Sequence, residues 1–260
     1  MKLLDDSFIS FVNLDHRTDR LARMQESLRQ VGIEATRTRG FYPHEVKVDP
    51  KRVAIMQNRT PGAIGCHFSQ VMIMEQALAL GRHAFVMEDD LVFCSDFRRR
   101  ISLIQAFLRD NPWDIVWLGG TFHVNPSYWH NCGAGRPPRD AELTSYNRMV
   151  RTYGAFCTYA YIVRNTSIAK VLQLLDRELD SSIGIDYAMI RIQPELHTYA
   201  FVPGCIKQAD GYSDIGKPSH LNKPAFTKFS GFSKLGPYWW QNEMSEFDPE
   251  TFNWAEAKIK

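Results

Sequence analysis

The chain has 260 residues, 44% of them apolar and 23% charged, which is the balance of an ordinary globular protein able to bury a core as one large α/β unit or two small ones. Its net charge of +2 is too small to argue for nucleic acid as a partner. Five cysteines (Cys66, Cys94, Cys132, Cys157, Cys205) are scattered without a C-x-x-C pair, which argues against a zinc knuckle or a disulfide frame and for reduced thiols in a cytosolic setting.

Met1 to Asp6 is polar and acidic, unlike a secretory leader, and no apolar run reaches the roughly 20 residues of a membrane-spanning helix. Phe8 to Val12 predicts a first strand, broken by the polar turn Asn13 to Arg20. Leu21, Met24, Leu28 and Val31 then recur at helical spacing up to Gly32, and Ile33 to Thr38 predicts a second strand ending at Arg39. This strand–helix–strand opening is the grammar of a parallel sheet that gathers ligands at the carboxyl ends of its strands. His44 to Pro61 reads as a loop, and Pro61 to Cys66 as a glycine-punctuated entry into a helix that Gly81 closes.

Ala84 to Met87 is a short apolar run that enters Glu88-Asp89-Asp90 and then turns apolar again. It predicts a buried strand whose end delivers acid into a crevice. A basic amphipathic helix from Phe97 to Leu108 follows, then a strand from Ile115 to Leu118 ended by Gly119-Gly120. Residues 123–148 read as a long substrate-side loop. Ala155 to Val163 predicts a strand, Ser167 to Leu179 a helix capped by Asn165 or Thr166, and Thr198 to Val202 a further strand. Between the last two lies a short helix starting at Tyr187, with Asp186 as its N-cap or as a functional acid. The tail beyond Lys207 is rich in Gly, Pro and aromatics, and residues 223–240 interleave lysines with Phe, Tyr and Trp. Such a mixture suits a strap over the core, a sugar-stacking surface or peripheral contact with an anionic membrane.

Three adjacent carboxylates repel one another unless something positive sits among them, so the acidic run is either a helix-capping turn or a site for a divalent cation and a phosphate-bearing ligand. The chain has no P-loop, no dinucleotide-binding glycine fingerprint, no nucleophile elbow and no H-E-x-x-H. A hard cation bridging carboxylate and diphosphate is the remaining chemistry, and it would stabilise a leaving nucleoside diphosphate.

Three blocks, in order, resemble glycosyltransferase family 25, the lipooligosaccharide and collagen galactosyltransferase family. They are Phe11 to Arg20, like the family's "(I/V)NL-x-x-R-x-D-R"; Gly62 to Ser69, like "G-x-x-G-C-x-x-S-H"; and Val86 to Asp90, like "h-h-E-D-D". Weaker echoes are Tyr153 to Phe156, Ile185-Asp186, and Gln208 with Ser213 to Ile215. The family's His after Ser69 is Gln70 here.

The resemblance implies a single α/β catalytic domain over residues 1–260 of GT-A type, a mixed central sheet flanked by helices. Residues 1–122 would form its nucleotide-sugar half, and 123–260 its acceptor half and tail. It further implies a UDP-sugar donor, Mn2+ or Mg2+, inversion at the anomeric carbon, and a glycan or glycolipid acceptor. Mapped onto this chain, Asp90 and Glu88 would hold the metal, with His220 as a further ligand, and Asp89 would serve the donor sugar. Asn13, Arg17, Asp19, Arg20, Arg39 and Ser69 would line the nucleotide. Asp186 would be the general base, with Asp214 as runner-up. The same acids also suit a nucleotidyltransferase or nucleotide-sugar hydrolase, and a non-catalytic nucleotide-sugar or glycan binder is the alternative outside enzymes. The expected location is cytoplasmic.

Overall fold

The computed structural model describes residues 2–46, 61–123, 149–152, 154–179, 184–201, 204–209 and 239–240. Its first elements are β1 (Ser7–Asn13), α1 (Thr18–Gln30) and β2 (Thr36–Arg39). They are followed by α2 (Pro61–Ala79), β3 (His83–Met87), β4 (Leu91–Phe93), α3 (Phe97–Asp110) and β5 (Ile115–His123). The second half carries β6 (Met149–Arg151), β7 (Gly154–Val163), α4 (Ile168–Glu178), α5 (Ile185–Ile192), β8 (Thr198–Phe201), β9 (Ile206–Gln208) and β10 (Trp239–Trp240). The main sheet runs β2-β1-β3-β7-β5-β8-β6, with β10 also on β5, while β4 and β9 form a separate antiparallel pair. β1 is parallel to both β2 and β3, and β3 is antiparallel to β7. The expected mixed sheet flanked by helices is therefore what the chain forms.

β3 explains its own apolar run. All five of its residues are buried because helices cover both faces of the sheet. Phe85 and Met87 pack with Met24, Leu28, Phe97 and Ile104 of α1 and α3. Ala84 and Val86 pack on the other face with Ile73 and Met74 of α2 and Met189 of α5. A strand covered on both sides shows no alternation in sequence.

Several boundaries differ from the sequence expectation, each for a local reason. β2 starts at Thr36, not Ile33, because Gly32 adopts φ +65° and the Ile33 amide still donates to the Leu28 carbonyl, closing α1. The glycines after Pro61 lie inside α2 and do not precede it. A Cβ on Gly65 would come within 2.2 Å of the Phe41 carbonyl oxygen, so this glycine is there for close approach. β5 passes through Gly119 and Gly120, where its register with β7 shifts. A turn of 3-10 helix at Asn165–Ser167 precedes α4. α5 opens with Gly184 as its N-cap, which puts Asp186 inside the first turn and corrects the expectation of a helix starting at Tyr187. The long loop read over 123–148 lies outside the described residues beyond His123, as does most of the tail.

Candidate active site

Because β1 and β3 run parallel side by side, their carboxyl ends meet on one edge of the sheet. Asn13, the last residue of β1, donates from Nδ2 to Asp89 Oδ2 at 2.7 Å. Arg20, in the first turn of α1, donates from Nη1 to Asp89 Oδ1 at 2.7 Å and lies 3.1 Å from Asp90 Oδ2. Burial works against the Arg20 charge, but Asp90 and Asp89 outweigh it and raise its pKa. The positive partner that the acidic run requires is thus partly internal. Asp89 is held from both sides, whereas Asp90 shares its cation.

The other half of the acidic run faces β9. Gln208, opposite Leu91 in the β4–β9 pair, donates from Nε2 to Glu88 Oε2 at 2.9 Å and more weakly to Asp90 Oδ1 at 3.4 Å. Glu88 and Asp90 therefore converge on one point. The Glu88 amide donates to Tyr159 of β7, and the Ala209 amide donates to the Asp90 carbonyl, so the backbone of the run is tied to two strands. Burial raises the Glu88 pKa well above the usual carboxylate range, and repulsion from Asp90, Asp186 and Asp89 adds to it. Burial also raises Asp90, against the pull of Arg20. Beside these acids a cavity of about 400 Å³ opens against α1, lined by Arg23, Glu26, Asp90, Val92 and Ala209. That size is ordinary for a small-molecule site.

Asp186 approaches from α5. Its Oδ1 accepts from the Thr158 amide at 2.9 Å and from the Thr158 hydroxyl at 3.0 Å, and the Cys157 amide donates to the carboxylate as well. Burial raises its pKa in spite of these donors. A carboxylate offers about four acceptor positions, so three protein donors leave room for a substrate hydroxyl. The thiol of Cys66, in α2, points to Glu88 Oε1 at 4.0 Å, and its pKa is pushed well up by burial and by the charges of Glu88 and Asp186.

Of the residues nominated from the sequence, the structure brings Asn13, Arg20, Glu88, Asp89 and Asp90 together with Asp186 nearby, and it distributes the others around them. Arg17 pairs with Asp19 at 3.0 Å, and Asp19 also takes Arg23 at 3.2 Å on the exposed face of α1. Arg39 bridges Asp15 at 2.7 Å and Glu45 at 2.6 Å. Ser69 sits in the body of α2; its hydroxyl donates to the Gly65 carbonyl and accepts from the Phe41 amide. It clamps the segment after β2 onto the helix. Asp214 and His220 lie outside the described residues.

The family model described as glycosyltransferase family 25 (LPS biosynthesis protein) matches residues 7–189, a span that includes Asn13, Arg20, the acidic run and Asp186 but not β9. The chain belongs to glycosyltransferase family 25. Among curated proteins it is 36% identical over 70 residues to the mouse (Mus musculus) protein "Inactive glycosyltransferase 25 family member 3", which is 26% of this chain and 12% of that one. It is 25% identical over 134 residues to "Glycosyltransferase 25 family member" of Aedes aegypti, which is 44% of this chain and 21% of that one. The chain thus spans a small part of the length of either relative.

Within the candidate site of this family-25 chain, four residues have no role in the sequence expectation. Gln208 appeared as a weak echo without a role, and the structure makes it the link between Glu88 and Asp90. Arg37 donates to Asn13 Oδ1 at 2.9 Å and to Asp15 at 2.5 Å, steering the Asn13 amide toward Asp89. Thr158 holds Asp186, and Gln70 donates to Thr158 at 3.2 Å. The strand signal around Thr158 was clear, but a bulged strand aims side chains in directions that alternation does not report.

Proposed function

We propose that the chain is a metal-dependent, inverting glycosyltransferase of GT-A architecture. It would move galactose or a related hexose from a UDP-sugar to a saccharide acceptor, in lipopolysaccharide, lipooligosaccharide or other cell-surface glycan synthesis. The observation that carries this reading is the convergence of Glu88 and Asp90 on Gln208, with Asp186 near enough to add its charge to the repulsion on Glu88.

The donor set fits a hard divalent cation. Glu88 and Asp90 would supply carboxylate oxygens, the ligand type that Mg2+ and Mn2+ prefer, at the point that the Gln208 Nε2 hydrogen bonds now bridge. Among the described residues no group of three or more His, Cys, Asp or Glu could hold a metal by itself. Two carboxylates with diphosphate oxygens completing the shell is a usual arrangement for such ions, and His220 is the protein candidate for a further position. When bound, the cation neutralises charge developing on the leaving diphosphate.

The chain's own residues do the rest. Arg20 and Asn13 immobilise Asp89 at the foot of the site, so that the acidic run keeps one shape. Arg17, just before α1, and Arg39, the last residue of β2, would turn from their Asp19, Asp15 and Glu45 partners to ribose or phosphate. Asp186 takes the proton of the acceptor hydroxyl while that oxygen bonds to the anomeric carbon and the bond to diphosphate breaks on the opposite face, which inverts the centre. Asp214 is the alternative base. Among the described residues no helix is long and apolar enough to cross a membrane, and the proposed location is cytoplasmic, with peripheral membrane contact through residues 223–240.

A thermal-shift panel of UDP-, GDP- and CMP-sugars with and without manganese tests this reading. A stabilisation by UDP-galactose that requires manganese is expected. Preference for a GDP- or CMP-sugar would overturn the donor, and an equal shift in EDTA would overturn the metal. A non-catalytic binder is the second reading, favoured by the name of the mouse relative, an inactive glycosyltransferase 25 family member. It predicts the same shift without release of UDP.

A further inference from the structure

We propose that Gln70 is a positioning residue for Asp186, acting through the Thr158 hydroxyl; this rests on the reading of Asp186 as the base. Gln70 lies in the body of α2, wholly buried, on the face of the sheet otherwise filled by Val86, Trp117, Met189 and other apolar side chains. A buried amide in such a place is costly unless each of its polar atoms is used. Here they are used in one direction. The Tyr161 hydroxyl donates to Gln70 Oε1 at 2.9 Å, Gln70 Nε2 donates to Thr158 Oγ1 at 3.2 Å, and Thr158 Oγ1 donates to Asp186 Oδ1 at 3.0 Å.

The direction follows from the end of the chain. An ionised carboxylate only accepts, so the single proton of the Thr158 hydroxyl goes to Asp186 and the hydroxyl oxygen needs a donor behind it. Gln70 Nε2 is that donor, and its second proton faces Cys66 Sγ at 3.4 Å. Thr158 Oγ1, its proton committed to Asp186, thus fixes which way round the amide sits, and the Tyr161 hydroxyl, able to donate or accept, donates to the Oε1 left facing it. With the amide reversed, its oxygen would compete with Asp186 for the Thr158 proton.

The backbone beneath Thr158 points to the same purpose. Cys157 has φ +64°, the one non-glycine residue with positive φ among the described residues. It lies in the stretch where the β5–β7 register shifts between Gly119 and Thr121. A left-handed residue of this kind costs about 1–3 kcal/mol and persists where surrounding structure holds it. Its effect here is to turn the successive amides of Cys157 and Thr158 onto the Asp186 carboxylate. Gln70 thus closes a seat for Asp186 built from a strained bulge on one side and a helix on the other.

The test is steady-state release of UDP from UDP-galactose with manganese and a mixed panel of mono- and disaccharide acceptors. Gln70→Met, of similar length, and Thr158→Val are each expected to lower kcat by about tenfold or more. KM for UDP-galactose should stay within about twofold. The double variant should be no slower than the slower single, because both act through one hydroxyl. Thr158→Ser, which keeps the hydroxyl, should recover most of the loss seen in Thr158→Val. Wild-type kcat in Gln70→Met, or losses that multiply in the double variant, would overturn the proposal. If Gln70→Met lacks a cooperative thermal transition, Tyr161→Phe replaces it and carries the same expectations. Asp186→Asn separates the two layers. Full turnover in that variant removes the base and the relay together, whereas loss there with normal Gln70 and Thr158 variants removes the relay alone.

Discussion

Arg20 and Asp89 form a buried ion pair, 2.7 Å between Nη1 and Oδ1, with 9% and 7% of the two residues exposed. The pair joins the first helix to the end of β3 and lets three consecutive acids sit at a strand terminus. Removing one partner of such a pair leaves the other charge buried without compensation, which costs far more than the pair contributes. Arg20→Met is therefore expected to lower stability by about 3–5 kcal/mol. Urea denaturation measures it, and a loss below about 1 kcal/mol would mean that Asp89 and Asp90 find another cation or water.

Asp186→Asn keeps the shape of the side chain and removes its basicity. The expected result is a fall in kcat of about 10²–10⁴ with the manganese-dependent thermal shift by UDP intact. Asp90→Asn should give the opposite division: loss of the manganese-dependent shift itself. Titrating UDP against each variant by thermal shift, alongside UDP release, distinguishes the two roles.

Glu88 links the site to pH. Its pKa in the folded chain stands above the unfolded value, so the stability tied to its proton is fully present below the ordinary carboxylate range and is lost as pH rises through the folded value. Glu88→Gln removes that loss. In EDTA the variant should melt higher than the wild type at pH 7 to 8, by about 2 °C or more, and the gap should shrink toward pH 4. The comparison cancels the surface acids Asp15, Glu26 and Glu45, whose arginine partners lower their pKa values and whose contributions are lost at the acidic end. With manganese and UDP present the order should reverse, since Glu88 is then wanted as an anion. Differential scanning fluorimetry from pH 4 to 8 checks both.

Two glycines offer a further contrast. A Cβ on Gly119 would lie 2.2 Å from the Ile206 carbonyl oxygen and 2.5 Å from the Tyr159 ring, wedging β9 off β5. Because β9 carries Gln208, Gly119→Ala should cost about 1–3 kcal/mol or more and weaken the manganese-dependent response. At Gly81 the same atom meets nothing, but φ is +65°. Gly81→Ala should therefore cost about 1–2 kcal/mol and leave ligand response unchanged. Denaturation curves paired with UDP thermal shifts read both effects.

How far the sequence could be read depended on whether a signal was local. The run from Ala84 to Asp90 announced a buried strand with acid at its end, and the order of strands and helices announced a mixed α/β sheet, because apolar runs and period-3.6 stripes are properties of neighbours in the chain. Asn13, Arg20 and the three acids could be nominated together on that basis, since carboxyl ends of parallel strands share an edge. Boundaries were less legible where a cap competed with a strand, as at Ile33, or where glycine served close packing and not a turn, as at Gly65.

What only the tertiary structure decided is the partnership of groups far apart in sequence. Whether Asp89 or Asp90 is committed to Arg20, whether Gln208 links Glu88 to Asp90, and whether Gln70 reaches Thr158 depend on contacts across 69, 118 and 88 residues. Hydrogen bonds of about 3 Å have no signature in composition or spacing. The sequence by itself determined that three carboxylates would arrive together at a strand end. The fold decided that Asp89 is held by protein, that Glu88 and Asp90 face a common point, and that Asp186 comes to meet them. It could do so because burial makes each of those charges costly unless a distant side chain answers it.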